Sequence, residues 1–98
     1  MSAATRTVRI THKVGLHARP AVALMKRAKS FESALTVRGL PDGAPVDAKS
    51  IVKVLGLKLK TGTLLEITAE GDDAQEAVAA LADLVVRDFA EEPDAADG

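Results

Sequence analysis

The sequence predicts an α+β domain built as an open-faced β-sandwich, in which a four-stranded antiparallel sheet carries three helices on one face. Three segments alternate between apolar and polar residues, as strands do when one face of a sheet meets the core and the other meets water, and a shorter segment predicts a fourth strand. Other segments space their apolar residues as amphipathic helices do. In chain order these segments give the pattern β-α-β-β-α-β-α.

Residues 5–12 and the stretch that follows predict a strand and then a helix. Residues 5–12 alternate, with Val8 and Ile10 on the face toward the core. Residues 18–30 carry apolar side chains at helical spacing, and Pro20 favours a helix start because first-turn N–H groups have no internal partner to lose. The expected buried stripe of this helix is Ala18, Ala21, Val22, Met25 and Ala28.

The middle of the chain predicts two further strands separated by a turn. Residues 34–38 alternate around Leu35 and Val37, and the Gly- and Pro-containing segment 39–43 is a turn by composition. Residues 45–48 predict a short third strand, which Pro45 confines to a sheet edge or to a strand start.

Residues 50–57 are compatible with two secondary structures. Ser50 suits the N-cap of a short helix that would bury Ile51, Val54 and Leu55. The β-branched residues of the same segment suit a strand instead, although Lys53 interrupts the apolar run. Of the two, we favour the helix.

The last third of the chain predicts a fourth strand and a long helix. Residues 65–70 alternate between apolar and polar side chains, and a turn follows. Asp72 or Asp73 is expected to cap the helix, with Gln75 or Glu76 reaching back to the chain before it. The expected buried stripe of the helix is Ala74, Ala77, Val78, Leu81, Leu84, Val85 and Phe89.

Composition limits the size of the core and the class of ligand. Of 98 residues, 47% are hydrophobic and 2% aromatic, so we expect one domain over residues 1–90, with a core of Val, Leu, Ile and Ala and an acidic, disordered tail over 91–98. The net charge of −1 and the few aromatic rings disfavour nucleic-acid binding, and the absence of Cys excludes thiolate zinc sites.

The sequence shows neither a signal peptide nor a long apolar segment. It therefore predicts a cytoplasmic protein without membrane insertion.

Residues 15–21, with the sequence GLHARPA, are the most informative part of the chain. They place His17 at the start of the first helix and Arg19 within its first turn. A helix begins with backbone N–H groups that lack internal acceptors, and its dipole is positive there, so phosphate binds well at this end. A histidine at that position can carry a phosphoryl group on a ring nitrogen, while the free N–H groups and Arg19 hold its oxygens. The sequence therefore indicates a histidine phosphocarrier.

Two motifs of the chain resemble those of the HPr family, the histidine-containing phosphocarriers of the bacterial phosphoenolpyruvate-dependent phosphotransferase system. The first is residues 15–21, and the second is residues 48–55 (AKSIVKVL), which is similar to the family's segment around a regulatory serine. Val14 departs from the polar capping residue that many members have, and Val52 and Lys53 stand where Met and Gly are frequent. These departures concern the identity of the downstream partner and leave the carrier chemistry intact.

The resemblance implies a role for each residue of the first motif. His17 would accept a phosphoryl group through Nδ1 from phosphorylated Enzyme I and pass it to EIIA-type domains. Arg19 would hold the phosphoryl oxygens with its planar guanidinium, and Ala18 would contribute to phosphate binding at the helix start. The chain would then be a monomeric carrier without cofactor or metal, and not an enzyme. His12 is expected to be an exposed strand residue, because no further metal ligands lie near it in sequence.

The second motif implies regulation and docking. Ser50 would be a regulatory phosphorylation site wherever an HPr kinase/phosphorylase is present, although a plain N-cap serine fits the sequence equally well. The expected partner-docking residues are Val22, Ile51, Val52 and Leu55, of which Val52 and Val22 should be the more exposed. The alternative function is a regulatory binding module of the HPr fold, controlled by phosphorylation of Ser50.

Overall fold

The part of the chain that the structure describes folds into four strands and three helices in the predicted order. The structure, a computed structural model, describes residues 2–11 and 18–87. Its elements are β1 (Ala3–Arg9), α1 (Ala18–Lys29), β2 (Ala34–Gly39), β3 (Val46–Asp47), α2 (Ile51–Gly56), β4 (Leu64–Glu70) and α3 (Ala74–Val86). This order confirms the predicted β-α-β-β-α-β-α pattern, and residues 50–57 contain the favoured helix, not a strand.

The four strands pair in the order β1-β4-β2-β3, and each pair is antiparallel. β4 therefore has a partner on both sides, with Ile67 opposite Arg6 of β1 and Val37 of β2. β3 lies at an edge as predicted, but it spans two residues where four were predicted. Pro45 has no N–H to donate to a ladder, which excludes it from the pairing.

One face of the sheet carries the core. Alternate residues of β2 and β4 are almost fully buried, namely Leu35, Val37, Leu65, Ile67 and Ala69. α3 packs on β1 and β4, and α1 packs against α2 and α3. The helices thus cover this face, whereas the opposite face presents polar side chains such as the Arg38–Glu66 ion pair, whose Nε and Oε1 atoms are 2.6 Å apart. The predicted open-faced sandwich is confirmed.

The first strand is displaced toward the N-terminus relative to its prediction. Val8 is half-buried and Ile10 fully buried, as the alternation predicted. Ile10 follows the last residue of β1, yet its N–H donates to the carbonyl of Thr63 at 2.9 Å and its carbonyl accepts from the N–H of Gly62 at 2.7 Å. These bonds hold the end of β1 against the turn that precedes β4. His12, predicted to end the strand, lies outside the described residues.

The buried stripe predicted for α3 is confirmed over its described length, whereas that of α1 is only partly right. In α1 the described buried residues are Pro20, Ala21, Ala23, Leu24 and Ala28. Val22 and Met25 are half-buried instead, because α1 packs against two other helices and buries an arc rotated from the predicted stripe. The side chain of Ala18 and all of Phe89 lie outside the described part of the chain.

Asp73 occupies the N-cap position of α3, but its side chain does not cap the helix. Its carboxylate accepts hydrogen bonds from the backbone N–H groups of Glu32 and Ser33, both at 2.9 Å, and from the Ser33 hydroxyl. Ser33 is a buried polar residue, so its donors need an acceptor inside the fold. The predicted side-chain cap is therefore wrong, since this carboxylate instead joins the start of α3 to the turn before β2.

Gly71 makes this connection possible by its lack of a side chain. A Cβ atom at this position would lie 2.6 Å from Oγ and 2.9 Å from Cα of Ser33. Its φ of +149° is also a value that residues with side chains rarely adopt. The close approach of the two backbones brings the carboxylate of Asp73 within reach of Ser33.

Asp73→Asn is expected to lower the free energy of unfolding at neutral pH, with a difference from the wild type that narrows in acid. The hydrogen bond from the Ser33 side chain, together with those from the N–H groups of Glu32 and Ser33, holds the pKa of Asp73 below its ordinary 3.8. Because the folded-state pKa is the lower one, this contribution is present above pH 3.8 and is lost as the pH falls through the folded-state value. Urea unfolding of both proteins from about pH 7 to about pH 2 measures it.

Asp72→Asn provides the matched control. It removes the same charge from the neighbouring exposed residue, whose carboxylate makes no hydrogen bond within the described part of the chain. Its unfolding free energy should follow that of the wild type across the titration. A difference between the wild type and Asp73→Asn that stays constant down to the lowest pH would contradict the assigned role of the carboxylate.

Candidate functional site

The first turn of α1 contains an exposed arginine that is followed by two buried residues. α1 begins at Ala18, directly after His17 in the chain. Arg19 is exposed and makes no hydrogen bond or ion pair with any described residue, whereas Pro20 and Ala21 are buried. No acidic residue occupies this turn, so the positive end of the helix dipole and the guanidinium of Arg19 are both left for an external anion.

Further cations lie where β1 ends and the chain approaches β4. Arg9 lies opposite Leu64 at the end of β1, and its Nη1 donates to the carbonyl of Gly62 at 2.8 Å. Lys58 and Lys60 are exposed in the connection between α2 and β4, which reaches this end at Gly62. His17, the predicted phosphoryl acceptor, lies outside the described residues, and its role remains a prediction.

Ser50 is the N-cap residue of α2, as predicted. Its backbone is extended, with φ −109° and ψ 113°, and its hydroxyl oxygen accepts a hydrogen bond from the N–H of Lys53 at 3.3 Å. The preceding residue is also fixed, because Nζ of Lys49 donates to the carbonyl of Phe31 at 2.8 Å. This bond joins the start of α2 to the segment after α1 and sets the position of Ser50.

The four predicted docking residues differ in their exposure. Val52 is 74% exposed and Leu55 is 37% exposed, and their spacing of three places them on the same side of α2. Val22 and Ile51 are half-buried, because α1 packs against α2 and covers part of both helices. The predicted exposure of Val52 is confirmed, that of Val22 is wrong, and the expected burial of Leu55 is wrong as well.

Sequence reasoning missed Lys58 as a distinctive residue. Its φ is +52°, in the left-handed region that favours glycine, and its N–H donates to the carbonyl of Leu55 at 3.1 Å. A helix commonly ends with a residue in this conformation shortly after its last turn. The position of Lys58 two residues after Gly56, the end of α2, was the available signal.

The described residues contain neither a metal-binding cluster nor a membrane-spanning helix. No group of three or more His, Cys, Asp or Glu side chains within residues 2–11 and 18–87 is arranged to hold a metal ion. Among the helices formed by these residues, none combines the length and the hydropathy needed to cross a bilayer.

The chain matches a known family over almost all of its described length. The family model described as the PTS HPr component phosphorylation site covers residues 4–87. The chain belongs to the HPr family. HPr is a component of the phosphotransferase system, and its members are named phosphocarrier proteins. The resemblance of residues 15–21 and 48–55 to HPr motifs is thereby confirmed at the level of the family.

Relatives of known name include both free-standing HPr proteins and longer proteins. The phosphocarrier protein HPr of Mycoplasma capricolum is 44% identical over 72 residues, which cover 74% of this chain and 79% of that protein. The multiphosphoryl transfer protein of Vibrio cholerae is 49% identical over 78 residues, which cover 79% of this chain. The match spans only 20% of the length of the Vibrio protein.

Solved HPr structures share the fold of this chain. The crystal structure of HPr-C-His from Thermoanaerobacter tengcongensis superposes with a TM-score of 0.83 at 40% identity, covering 91% of this chain and 98% of that one. A second structure from the same organism is described as an HPr dimer and superposes with a TM-score of 0.69, also at 40% identity, covering 86% and 94% of the two chains. The open-faced sandwich is therefore the HPr fold.

Proposed function

We propose that the chain is a phosphocarrier that accepts a phosphoryl group on His17 from phosphorylated Enzyme I and passes it to EIIA-type domains. The observation that carries this proposal is the match of residues 4–87 to the HPr phosphorylation-site family. Arg19 in the first turn of α1, two residues after His17, is exposed and pairs with none of the described residues, which supports the same function. Sugar transport and its regulatory branch both use this relay.

Each transfer exchanges one bond to phosphorus for another. The lone pair of Nδ1 of His17 attacks the phosphorus, and the bond between phosphorus and the donor atom of Enzyme I breaks with its electron pair leaving on that atom. In the second transfer an atom of the acceptor domain attacks the phosphorus. The bond between phosphorus and Nδ1 then breaks, and its electron pair returns to Nδ1. An ordinary imidazole titrates near pH ~6.5, so the neutral nucleophile is abundant at neutral pH.

The start of α1 stabilises the phosphoryl group on the carrier. Arg19 offers a planar fork of N–H donors to phosphoryl oxygens, and the free N–H groups of the first turn, including that of Ala18, add donors at the positive end of the helix dipole. Because the base of this turn is buried at Pro20 and Ala21, the donors are held in place before the anion arrives.

The proposed relay also defines partners and regulation. Docking would use the exposed Val52 and Leu55 of α2, with the half-buried Val22 and Ile51 at their margin. Phosphorylation of Ser50 by an HPr kinase/phosphorylase would add negative charge at the N-cap of α2 and so oppose docking to acidic surfaces. As a carrier of this kind, the chain would act in the cytoplasm as a monomer. Its domain would span residues 1–90, with an acidic tail over 91–98.

Intact-mass measurement tests the proposed function. The wild-type chain is incubated with phosphoenolpyruvate, Mg²⁺ and a heterologous Enzyme I, and an EIIA-type domain is added afterwards. We expect the chain to gain one phosphate and then to lose it to the EIIA domain. No gain with an Enzyme I that phosphorylates its own HPr would contradict the carrier function. Phosphorylation by an HPr kinase alone would then favour the binding module controlled by Ser50.

Arg19→Ala is expected to lower kcat/KM for phosphorylation by Enzyme I about 10- to 100-fold, because a hydrogen bond to a charged group contributes roughly 1.5–3 kcal/mol. Arg19→Lys should lose less, since it keeps the charge and loses the planar fork. Steady-state transfer kinetics measure both effects. Arg27→Ala, which removes an exposed arginine from the other end of α1, is the control and should stay near the wild-type rate. Equal losses in Arg19→Ala and Arg27→Ala would argue against a specific role for Arg19.

A further inference from the structure

β1 is a long strand at one edge of the sheet. It spans the seven residues Ala3–Arg9 and pairs with β4, and no strand formed by residues 2–11 or 18–87 lies on its other side. The opposite edge of the sheet is β3, which has two residues and directly follows Pro45. The edge of a sheet carries unpaired backbone N–H and C=O groups that a further strand can join. Of the two edges, β1 is therefore the longer template for such a strand.

Hydrogen bonds at the two ends of β1 show which of its residues face the free edge. The carbonyl of Ser2 accepts from the N–H of Gly71, and Ile10 bonds through its N–H and its carbonyl to the turn before β4. Because the bonded side alternates along an antiparallel strand, the even-numbered residues of β1 bond to β4. The odd-numbered residues, which include Thr5 and Thr7, direct their N–H and C=O groups to the free edge.

Arg6 interrupts the apolar face of this strand. On the same face, Ala4 and Ile10 are buried and Val8 is half-buried, as expected beneath the helices. Arg6 lies opposite the fully buried Ile67 of β4, yet its side chain is exposed and makes no hydrogen bond or ion pair with any described residue. A charged residue that points toward the core side of an edge strand opposes edge-to-edge pairing, because a new neighbouring strand would enclose the charge.

β1 of a second copy would fit the free edge over its whole length. Two β1 strands paired antiparallel about a twofold axis at Arg6 would bond Thr5 of each copy to Thr7 of the other. The two sheets would become one, and the short β3 strands would form its outer edges, so the assembly would close as a dimer. In this register the two Arg6 side chains would lie directly opposite each other, where like charges destabilise pairing. A shift to the next equivalent register would shorten the ladder and leave the two guanidinium groups as diagonal neighbours.

We propose that the free edge of β1 is a self-association surface for a second copy of this chain and that the charge of Arg6 keeps it closed. The inference is independent of the proposed carrier function, because it concerns the sheet edge and not the start of α1. A β-branched apolar residue in place of Arg6 would remove the contact between like charges. It would also make the face from Ala4 to Val8 continuously apolar, which favours pairing with another strand.

Arg6→Val tests the proposal, and Arg6→Lys is the matched control because it keeps the charge. Sedimentation velocity measures the mass of each protein from about 10 to about 500 µM, since a dimer is populated according to concentration. We expect the wild type and Arg6→Lys to remain monomers throughout, whereas the mass of Arg6→Val should double toward the upper concentrations. An Arg6→Val protein that stays monomeric would overturn the proposal, and so would a dimeric wild type.

A second variant shows whether the association uses the strand edge. Thr7→Pro, added to Arg6→Val, removes one N–H donor from the free edge and no hydrogen bond to β4, so the double variant should be a folded monomer by circular dichroism. Amide hydrogen exchange gives a readout that does not depend on the proline. The amides of Thr5 and Thr7 should exchange slowly in the Arg6→Val dimer and rapidly in the wild type. Rapid exchange of both amides in that dimer would overturn the proposal, because the contact would then lie elsewhere.

Discussion

His17→Ala should abolish phosphoryl uptake from phosphorylated Enzyme I, with no gain of mass under conditions in which the wild type gains one phosphate. The chain has two histidines, and only His17 adjoins the first turn of α1. An alanine has no lone pair to attack phosphorus, so the loss should be complete and not a change in KM. Intact mass checks the result, and the wild-type phosphate should be lost in acid and retained in alkali, as expected for a phosphohistidine.

His12→Ala is the matched control for this experiment. It removes the other imidazole, five positions earlier in the chain, and is expected to leave phosphorylation at the wild-type rate. Uptake of one phosphate by His17→Ala would contradict the assignment. An acid-stable phosphate on that variant would indicate phosphorylation of a hydroxyl group, such as that of Ser50.

Leu24→Ala is expected to lower the free energy of unfolding by about 2–5 kcal/mol, the usual effect of truncating a large core side chain. Leu24 is fully buried in α1, and this helix packs against both α2 and α3. In a domain whose total stability is about 5–15 kcal/mol, such a loss is large. Urea denaturation followed by circular dichroism measures it, and the change should appear in the midpoint and not in the slope.

Leu55→Ala makes the same chemical change on the surface. Leu55 is 37% exposed, so its truncation should leave the free energy of unfolding within about 0.5–1 kcal/mol of the wild type. The same variant should weaken docking if partners bind the exposed side of α2 that carries Val52 and Leu55. Equal destabilisation by Leu24→Ala and Leu55→Ala would contradict the burial of α1 described above.

Features with a short-range signal were predictable from the sequence. Alternation around Leu35, Val37 and Ile67 identifies strands with one buried face, because the side-chain period of a strand is two. The N-cap role of Ser50 is likewise local, since its acceptor and the donating N–H of Lys53 are three residues apart. The motif around His17 is local in the same way, because its residues are adjacent in the chain, and its assignment as a phosphate site stays a prediction.

Features that depend on distant contacts were not predictable. Asp73 has the sequence context of a helix cap. Its carboxylate instead accepts hydrogen bonds from the N–H groups of Glu32 and Ser33, forty or more residues away. Val22 lies on the apolar stripe of α1, and only the packing of α1 against α2 decides how much of it stays exposed. Lys58 differs from these residues, because its positive φ depends on the nearby end of α2 and not on a distant contact. Lysine is not a residue type that indicates a positive φ, so the sequence did not predict it.

The position of β4 in the chain has a consequence for synthesis on the ribosome. β4 is the partner of both β1 and β2, yet it is the sixth of the seven elements to be made. β1 therefore leaves the ribosome without any neighbour to pair with, and the sheet cannot close until residue 70 is exposed. Contacts between such distant segments form late. Until then β2 can pair only with β3, so the unfinished chain exposes apolar strand residues that the finished domain buries.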